Sequence, residues 1–367
     1  MNRIVLLLLS SVGILFALGL LMIFNTTSAE ILDRFSERST HYPLIKQLLY
    51  AVVGVLGCIG IWFIGFESLI RLSGPLLCIA TLLLVCVFLP GIGQHINGAH
   101  RWISLWGNSL QPSEFVKYFI PFYYIHALAA RGYKLELKPF LLLLLKLSVP
   151  IGLILIEPDN GTVAIILVTL VMLFLLTELK WTYWALPLAF LCAVGVLVAS
   201  QMPHVSERIK VYLHPEYDIL GKGHQPHQAK IAAGSGRLFG KGIGESLQKM
   251  EYLPEARSDY IAAIFAEECG FVGIALLIFL YMLIAYCGLF IAQRAMSPEA
   301  FYTATLVTFL LCFQAFLNLG VVSGLLPSKG TNLPFFSHGG SSLLANMFGL
   351  CVLLNIAFKN EREKHPI

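Results

Sequence analysis

The stretch YIAAIFAEECGFVGIALLIFLYMLIAYCGLFIA, Tyr260 to Ala292, decides the fold. Its only charged side chains are Glu267 and Glu268, and its length exceeds the roughly twenty apolar residues that cross a bilayer as helix. Working outward, the pattern repeats. The chain has 367 residues, 57% of them hydrophobic and 13% charged, with a mean hydropathy of +0.77. Soluble domains carry about twice that share of charge. Apolar blocks predict ten spans at 4–24, 44–65, 69–89, 113–131, 139–156, 161–177, 181–200, 260–292, 300–324 and 335–358. Backbone groups in lipid must be satisfied within each segment, so the spans are helices. The expected fold is an all-α polytopic membrane protein of about ten transmembrane helices. Residues 1–367 form a single membrane domain, with one long extracytoplasmic loop, about 201–259, between spans seven and eight. Met1–Phe24 has a long apolar run and no clear cleavage site, and reads as the first span rather than a signal peptide.

Basic residues set the orientation. Arg3, Arg71, Arg131, Lys134, Lys138, Lys180, Arg294, Lys359, Arg362 and Lys364 fall in one set of short segments. The opposite set carries Arg34, Arg38, Arg101 and Lys329, with Lys46 at a span edge. The positive-inside rule then puts both termini in the cytoplasm and the long loop outside. A net charge of +4 with no basic run gives no footprint for nucleic acid. The eight cysteines sit inside apolar runs, without a C-x-x-C, and read as small packing residues rather than disulfides or metal ligands.

Polar chemistry collects on the expected outer face, in GAHRWISLWGNSLQPSEFVK (98–117), EPDNGT (157–162), the long loop and LPSKGTNLPFFSHGGSS (326–342). Asp259 stands at the start of the eighth span, where helix amides favour an ionised carboxylate. Ser258 or Asp259 could equally be a plain helix cap. Glu267 and Glu268 follow two turns inward, where acids are costly and mark a function or a partner. At 100° per residue, Glu267 lies about 80° round from Asp259, the better placed to share its cavity. Glu268 faces away and calls for a basic partner on another helix.

Glu114 and Lys117 are three apart on one helix face. They read either as a self-neutralising pair or as support for a cavity. Asp159, with Glu157, flanks a Pro in a turn whose chemistry Pro-Asp-Asn-Gly alone could explain. GSGRLFGKGIGES (234–246), with Arg237 and Lys241, reads either as a flexible loop or as a backbone cradle for an anion. It lacks the Walker spacing. His224 and His227, three apart, are a weak metal signal, and HGGSS (338–342) is not a nucleophile elbow.

GAHRWI with QPSEFVK, EPDNGT, RIKVYLHP (208–215), the run from Gly234 through Gly273 and LLPSKGTNLPFFSHGGSSL together resemble the SEDS family, the shape, elongation, division and sporulation membrane proteins. The resemblance covers most of the chain. It implies a ten-span plasma-membrane enzyme that polymerises lipid II into peptidoglycan glycan strands. It also implies a class B penicillin-binding protein as partner, beside other division-complex membrane proteins and membrane lipids. The Lys-Gly of PSKG points to the division members rather than the elongation members. ARSDY, SHGG and EPD depart from the usual Ala-His-Thr-Asp-Phe, Ser-Tyr-Gly-Gly and Gln-Pro-Asp of division members, with the Asp kept in each motif that has one.

By the same resemblance Asp259 is the catalytic base. Arg101, Arg208, Lys241 and Lys329 are candidates to stabilise the pyrophosphate leaving group, and Glu114, Lys117, Asp159 and Glu267 are candidate supports. No cofactor is obligatory and no protein metal site is expected, although a divalent cation, magnesium or manganese, could assist departure. Only one carboxylate is placed at the reaction edge, which argues against a double displacement. The competing classes are an elongation-type polymerase, a lipid II flippase and an inactive scaffold. An essential acid at the outer edge marks a polymerase, and one at mid-membrane marks a carrier.

Overall fold

A computed structural model of the protein describes residues 2–34, 41–96, 99–105, 108–189, 193, 212, 223–249, 253, 256–327 and 330–364. Its helices are α1 (Asn2–Arg34), α2 (Tyr42–Ile64), α3 (Phe66–Arg71), α4 (Ser73–Cys86), α5 (Ser113–Ala129), α6 (Leu137–Ile156), α7 (Asn160–Leu176), α8 (His224–Ser235), α9 (Ile261–Gln293), α10 (Pro298–Val322) and α11 (Gly340–Lys364). Residues 181–189 are also helical. The rest of the expected seventh span, 190–200, lies outside the described residues except 193, as do 201–211 and 213–222 of the long loop.

Among the described residues, six helices are long and apolar enough to cross a membrane, and α4 and α7 are shorter apolar helices. Their exposed residues are largely apolar: on α2, Val52, Leu56, Ile59 and Phe63 face outward. In water such a surface would be a liability, whereas in a bilayer it is the solvent-facing side. The protein is a multi-pass membrane protein.

The structure differs from the sequence expectation in four places. The run 69–89 is two helices, α3 and α4, meeting at Leu72. The last span starts at Gly340 rather than 335, because residues 331–339 run as irregular chain. The stretch after α4 is not simple loop: β1 (Gly93–Ile96), β2 (Ala99–Leu105) and β3 (Asn108–Leu110) form an antiparallel meander. AHRWISL carries Trp102 and Ile103, residue types that favour strand.

The fourth difference concerns the opening stretch. α9 is two helical pieces joined at Gly270, whose φ of 68° and ψ of −163° are not helical. The two pieces live in different surroundings. Ile261 through Glu268 are all buried, apolar as far as Ala266 and then two acids, enclosed by protein. Beyond the break, Phe271, Val272, Leu276, Phe279 and Met282 are exposed on one side while Leu277, Leu280 and Ile284 pack inward. α9 packs mainly on α10 and α1, α11 lies along α2, and α5 is enclosed by α4, α7, α10 and α11.

Candidate active site at one end of the bundle

The turn chemistry of 157–162 fixes one corner. Asp159 is the N-cap of α7, its Oδ1 accepting from the Thr162 amide at 3.3 Å. Its Oδ2 accepts from Thr162 Oγ1 at 2.8 Å, Gln111 Nε2 at 3.1 Å and Ser113 Oγ at 3.3 Å. β2 brings Arg101 to the same turn. Arg101 Nε donates to the Glu157 carbonyl at 3.1 Å, a terminal nitrogen donates to the Pro158 carbonyl, and the guanidinium lies 4.0 Å from Asp159 Oδ1. The turn expected at 157–162 is present, Asp159 caps the helix that follows it, and Arg101 is added to that corner. Glu157 is buried with neither carboxylate oxygen hydrogen-bonded. Desolvation above all, then the Asp159 charge, push its carboxyl up to about 8 against the opposing pull of Arg101.

A second corner is built on α5 and α10. Lys117 Nζ donates to Glu114 Oε2 at 2.5 Å and to Gln314 Oε1 at 2.9 Å. The i, i+3 pair expected from the sequence is formed, and the buried Lys117 gains a neutral partner on α10. One turn along α10 from Gln314, Asn318 Nδ2 donates to the main-chain carbonyls of Asp259 at 2.8 Å and Thr331 at 2.6 Å. The Glu114–Lys117 pair thus stands one helical turn from the side chain that holds the backbone of Asp259.

Asp259 itself stands two residues before the first residue of α9, Ile261. The N-cap position of α9 is Tyr260, whose side chain makes no cap bond. Opposite its carboxylate lies the bare α-carbon of Gly330. A methyl group there would come within 2.5 Å of Asp259 Oδ2. Residues 331–339 form the wall behind. Asn318 holds Thr331, Tyr281 Oη donates to the Pro334 carbonyl at 2.6 Å, and Gln47 brackets Ser337 and Gly339, both at 3.3 Å. The His338 amide donates to the Arg257 carbonyl at 3.0 Å. Irregular backbone at membrane depth must find such partners. The wall continues into α11, where Ser341 Oγ accepts from the Gln111 amide at 2.9 Å, joining it to the Asp159 corner.

The third cluster lies at the break in α9. Glu267 accepts from Lys241 Nζ at 2.6 Å, Ser246 Oγ at 2.5 Å, Ser235 Oγ at 3.2 Å and the Gln248 amide at 3.3 Å. Glu268 accepts from Lys249 Nζ at 2.9 Å and from Asn25 Nδ2 at 2.5 Å. Glu268 does find a basic partner, but in the connector before α9 rather than on a helix. Glu267 is enclosed by that connector, not exposed beside Asp259. The glycine-rich segment is neither a loose loop nor an open cradle, since it is bonded into the break.

Of the sequence candidates, Asp159 and Arg101 share one corner, and Glu114 and Lys117 connect to Asp259 through α10. Lys241 and Glu267 pair with each other. Arg208 and Lys329 lie outside the described residues. The sequence reading missed Gln47, Gln111, Gln314 and Asn318. Gln314 and Asn318 sit four apart inside the apolar run of α10, and that spacing of two amides was the available signal.

A membrane bundle with a carboxylate, Asp259, held at one end by amides and glycine defines a class: multi-pass membrane proteins with a polar site at one end of the bundle. The chain belongs to the FtsW/RodA/SpoVE family, whose model, described as cell cycle protein, matches residues 5–362. It is 36% identical over 356 residues to the probable peptidoglycan glycosyltransferase FtsW of Trichlorobacter lovleyi, covering 96% of this chain and 92% of that one. A chain solved in a study of how a peptidoglycan synthase complex coordinates polymerization and crosslinking aligns with a TM-score of 0.73 at 27% identity, covering 96% of this chain and 97% of that one. The crystal structure of the Thermus thermophilus rod shape determining protein RodA aligns with a TM-score of 0.69 at 24% identity, over 96% of both chains. That last likeness speaks for the fold.

Proposed function

We propose that this chain is a peptidoglycan glycosyltransferase that polymerises lipid II into glycan strands during cell division, with Asp259 as general base. The observation that carries the reading is the seat of Asp259, its backbone held by Asn318 and its carboxylate set against Gly330. The FtsW relative supports the reaction and the division role over an elongation role. In the proposed topology, ten spans leave both termini in the cytoplasm of a bacterial plasma membrane and put the Asp259 end outside. The loop of about 201–259 then joins spans seven and eight within a single domain, 1–367.

Lipid II keeps its polyprenyl tail in the bilayer and its disaccharide-pyrophosphate at the surface, so the reacting atoms meet at that edge. Asp259 takes the proton from the acceptor sugar hydroxyl as the oxygen attacks the donor's anomeric carbon. The donor's bond to its lipid pyrophosphate breaks, and negative charge grows on the leaving group. Arg101 and Lys241 hold carboxylates of the fold, which leaves Arg208 and Lys329 as the candidates to meet that charge. Lys329 is the sequence neighbour of Gly330. A magnesium or manganese ion carried by the pyrophosphate would supply the same service. Glu114, Lys117 and Asp159 act as supports. A class B penicillin-binding protein is the proposed partner, and the likeness to a chain of a peptidoglycan synthase complex supports it.

The test is polymerisation of labelled lipid II by the purified chain with its transpeptidase partner, the products resolved on a gel. Asp259→Asn keeps size and polarity but removes basicity, and turnover is expected to fall by at least about 10²–10⁴-fold. Substantial polymerisation by the folded variant would remove Asp259 from the chemistry. Lipid II transport surviving in a variant that cannot polymerise would favour the flippase.

A further inference from the structure

A helix ending in two acids breaks a local rule. Carboxylates at a helix C-terminus meet the negative end of the dipole, which is unfavourable. The first piece of α9 nevertheless ends in Glu267 and Glu268, just before the break at Gly270. Such a conflict persists where something else needs it. Here the compensation comes from one segment, residues 237–249.

That segment makes two sets of bonds. Its backbone fills the gap in the helix. The amides of Lys241 and Gly242 donate to the carbonyls of Glu267 and Glu268, each at 3.0 Å, and the amides of Phe271 and Val272 donate to the carbonyls of Arg237 and Leu238, at 2.8 and 3.1 Å. The groups a broken helix leaves orphaned are thus satisfied on both sides. The fit requires glycine on both chains: a Cβ on Gly240 would lie 2.0 Å from the Glu268 carbonyl, and one on Gly270 would lie 2.3 Å from the Gly240 amide. Its side chains then take one acid each, Lys241 for Glu267 and Lys249 for Glu268. Lys249 Nζ also donates to Asn25 Oδ1 at 2.8 Å and the Gly244 carbonyl at 2.6 Å, and Asn25 Nδ2 reaches Glu268. The triad Asn25–Lys249–Glu268 therefore joins α1, the segment and the end of the first piece of α9 in a buried site.

We propose that segment 237–249 is a latch on the first piece of α9, and that Lys249 and Glu268 are positioning residues which set where Asp259 stands. The inference rests on the reading of Asp259 as the base. The mechanical link is short. Residues 261–268 form a fully buried helical piece with Asp259 just before one end and the triad at the other. A rigid piece transmits a shift at its end to its start. Misplacing a reacting group by about 1 Å can cost on the order of 100-fold in rate.

The test uses the full chain with its transpeptidase partner and labelled lipid II, reading kcat, KM and amide exchange. Lys249→Met is expected to lower kcat about 10- to 100-fold with KM within about twofold, and to raise exchange at residues 241, 242, 271 and 272. Lys249→Arg keeps the charge and should recover most of the loss. Lys249→Met with Glu268→Met removes both buried charges, so it should fold while keeping the low kcat. Opened exchange with unchanged kcat in either Met variant would overturn the positioning role. Unchanged exchange in both would overturn the latch itself. If Asp259→Asn proves active, the base assignment falls by that result alone, and exchange still decides whether the latch exists.

Discussion

Glu267 and Glu268 are consecutive acids, and each has a lysine of its own. Glu157 and Asp159 are two apart and share one arginine, which spends its donors on the carbonyls of 157 and 158 and approaches only Asp159. All four carboxyls are buried. The first pair can remain two charges because each desolvated carboxylate has a cation within 3 Å. In the second, Asp159 takes the hydrogen bonds of Thr162, Gln111 and Ser113, and Glu157, left without a donor, is raised to about 8 and holds a proton. The difference teaches how to read an acid in this bundle: its partner list, not its depth, decides whether it acts as a charge or as a neutral group.

The one-to-one kind of pairing should be the more fragile. Glu114–Lys117 is another example, with Lys117 almost wholly buried. Lys117→Met leaves a carboxylate without its cation and should cost about 3–5 kcal/mol. Removing Glu114 as well should return part of that loss. A double-mutant cycle on thermal unfolding in detergent measures the coupling, and strict additivity would mean the two do not act as a pair.

The shared arrangement should break less severely. Arg101→Met deprives two carbonyls of donors but leaves Asp159 its bonds to Thr162, Gln111 and Ser113. The expected cost is about 1–3 kcal/mol, the range for buried groups left unsatisfied. A loss as large as that of Lys117→Met, by the same unfolding measurement, would show that Arg101 is the sole support of Asp159 and would erase the contrast.

How much of this could be read beforehand follows from what each feature depends on. The membrane class, most helices and the Glu114–Lys117 pair are local: apolar blocks and an i, i+3 spacing fix them. The break at Gly270 was hidden because the run stays apolar through it, and hydropathy does not distinguish a buried helical piece from a lipid-facing one. Its signal was the glycine beside two acids, matched by glycines at 240 and 242 whose partner lay some thirty residues away. The meander 93–110 was hidden because AHRWISL does not alternate apolar with polar residues. The partners of Asp259 were illegible for a different reason. Asn318 and Gly330 act through a backbone carbonyl and an absent side chain, neither of which has a sequence pattern.

The change that sharpens the comparison most is Glu157→Gln. The change keeps shape and removes only the capacity to ionise. Glu157 has its carboxyl raised from the ordinary 4.5 to about 8, by desolvation first and the Asp159 charge second. Between those values the folded chain keeps a proton that the unfolded chain has released, so stability falls as pH rises. The contribution of Glu157 is fully present below pH 4.5 and is lost as pH passes through about 8. The Gln variant has no such proton to lose. Its unfolding midpoint should therefore stay nearly level over the window in which the parent declines, and the variant should be the more stable of the two on the alkaline side. At Glu267 the same kind of change should do the reverse, since Gln there would leave Lys241 without its counter-charge. Parallel pH curves for the parent and Glu157→Gln would mean that Glu157 is ionised throughout, and that the two acid clusters are of one kind after all.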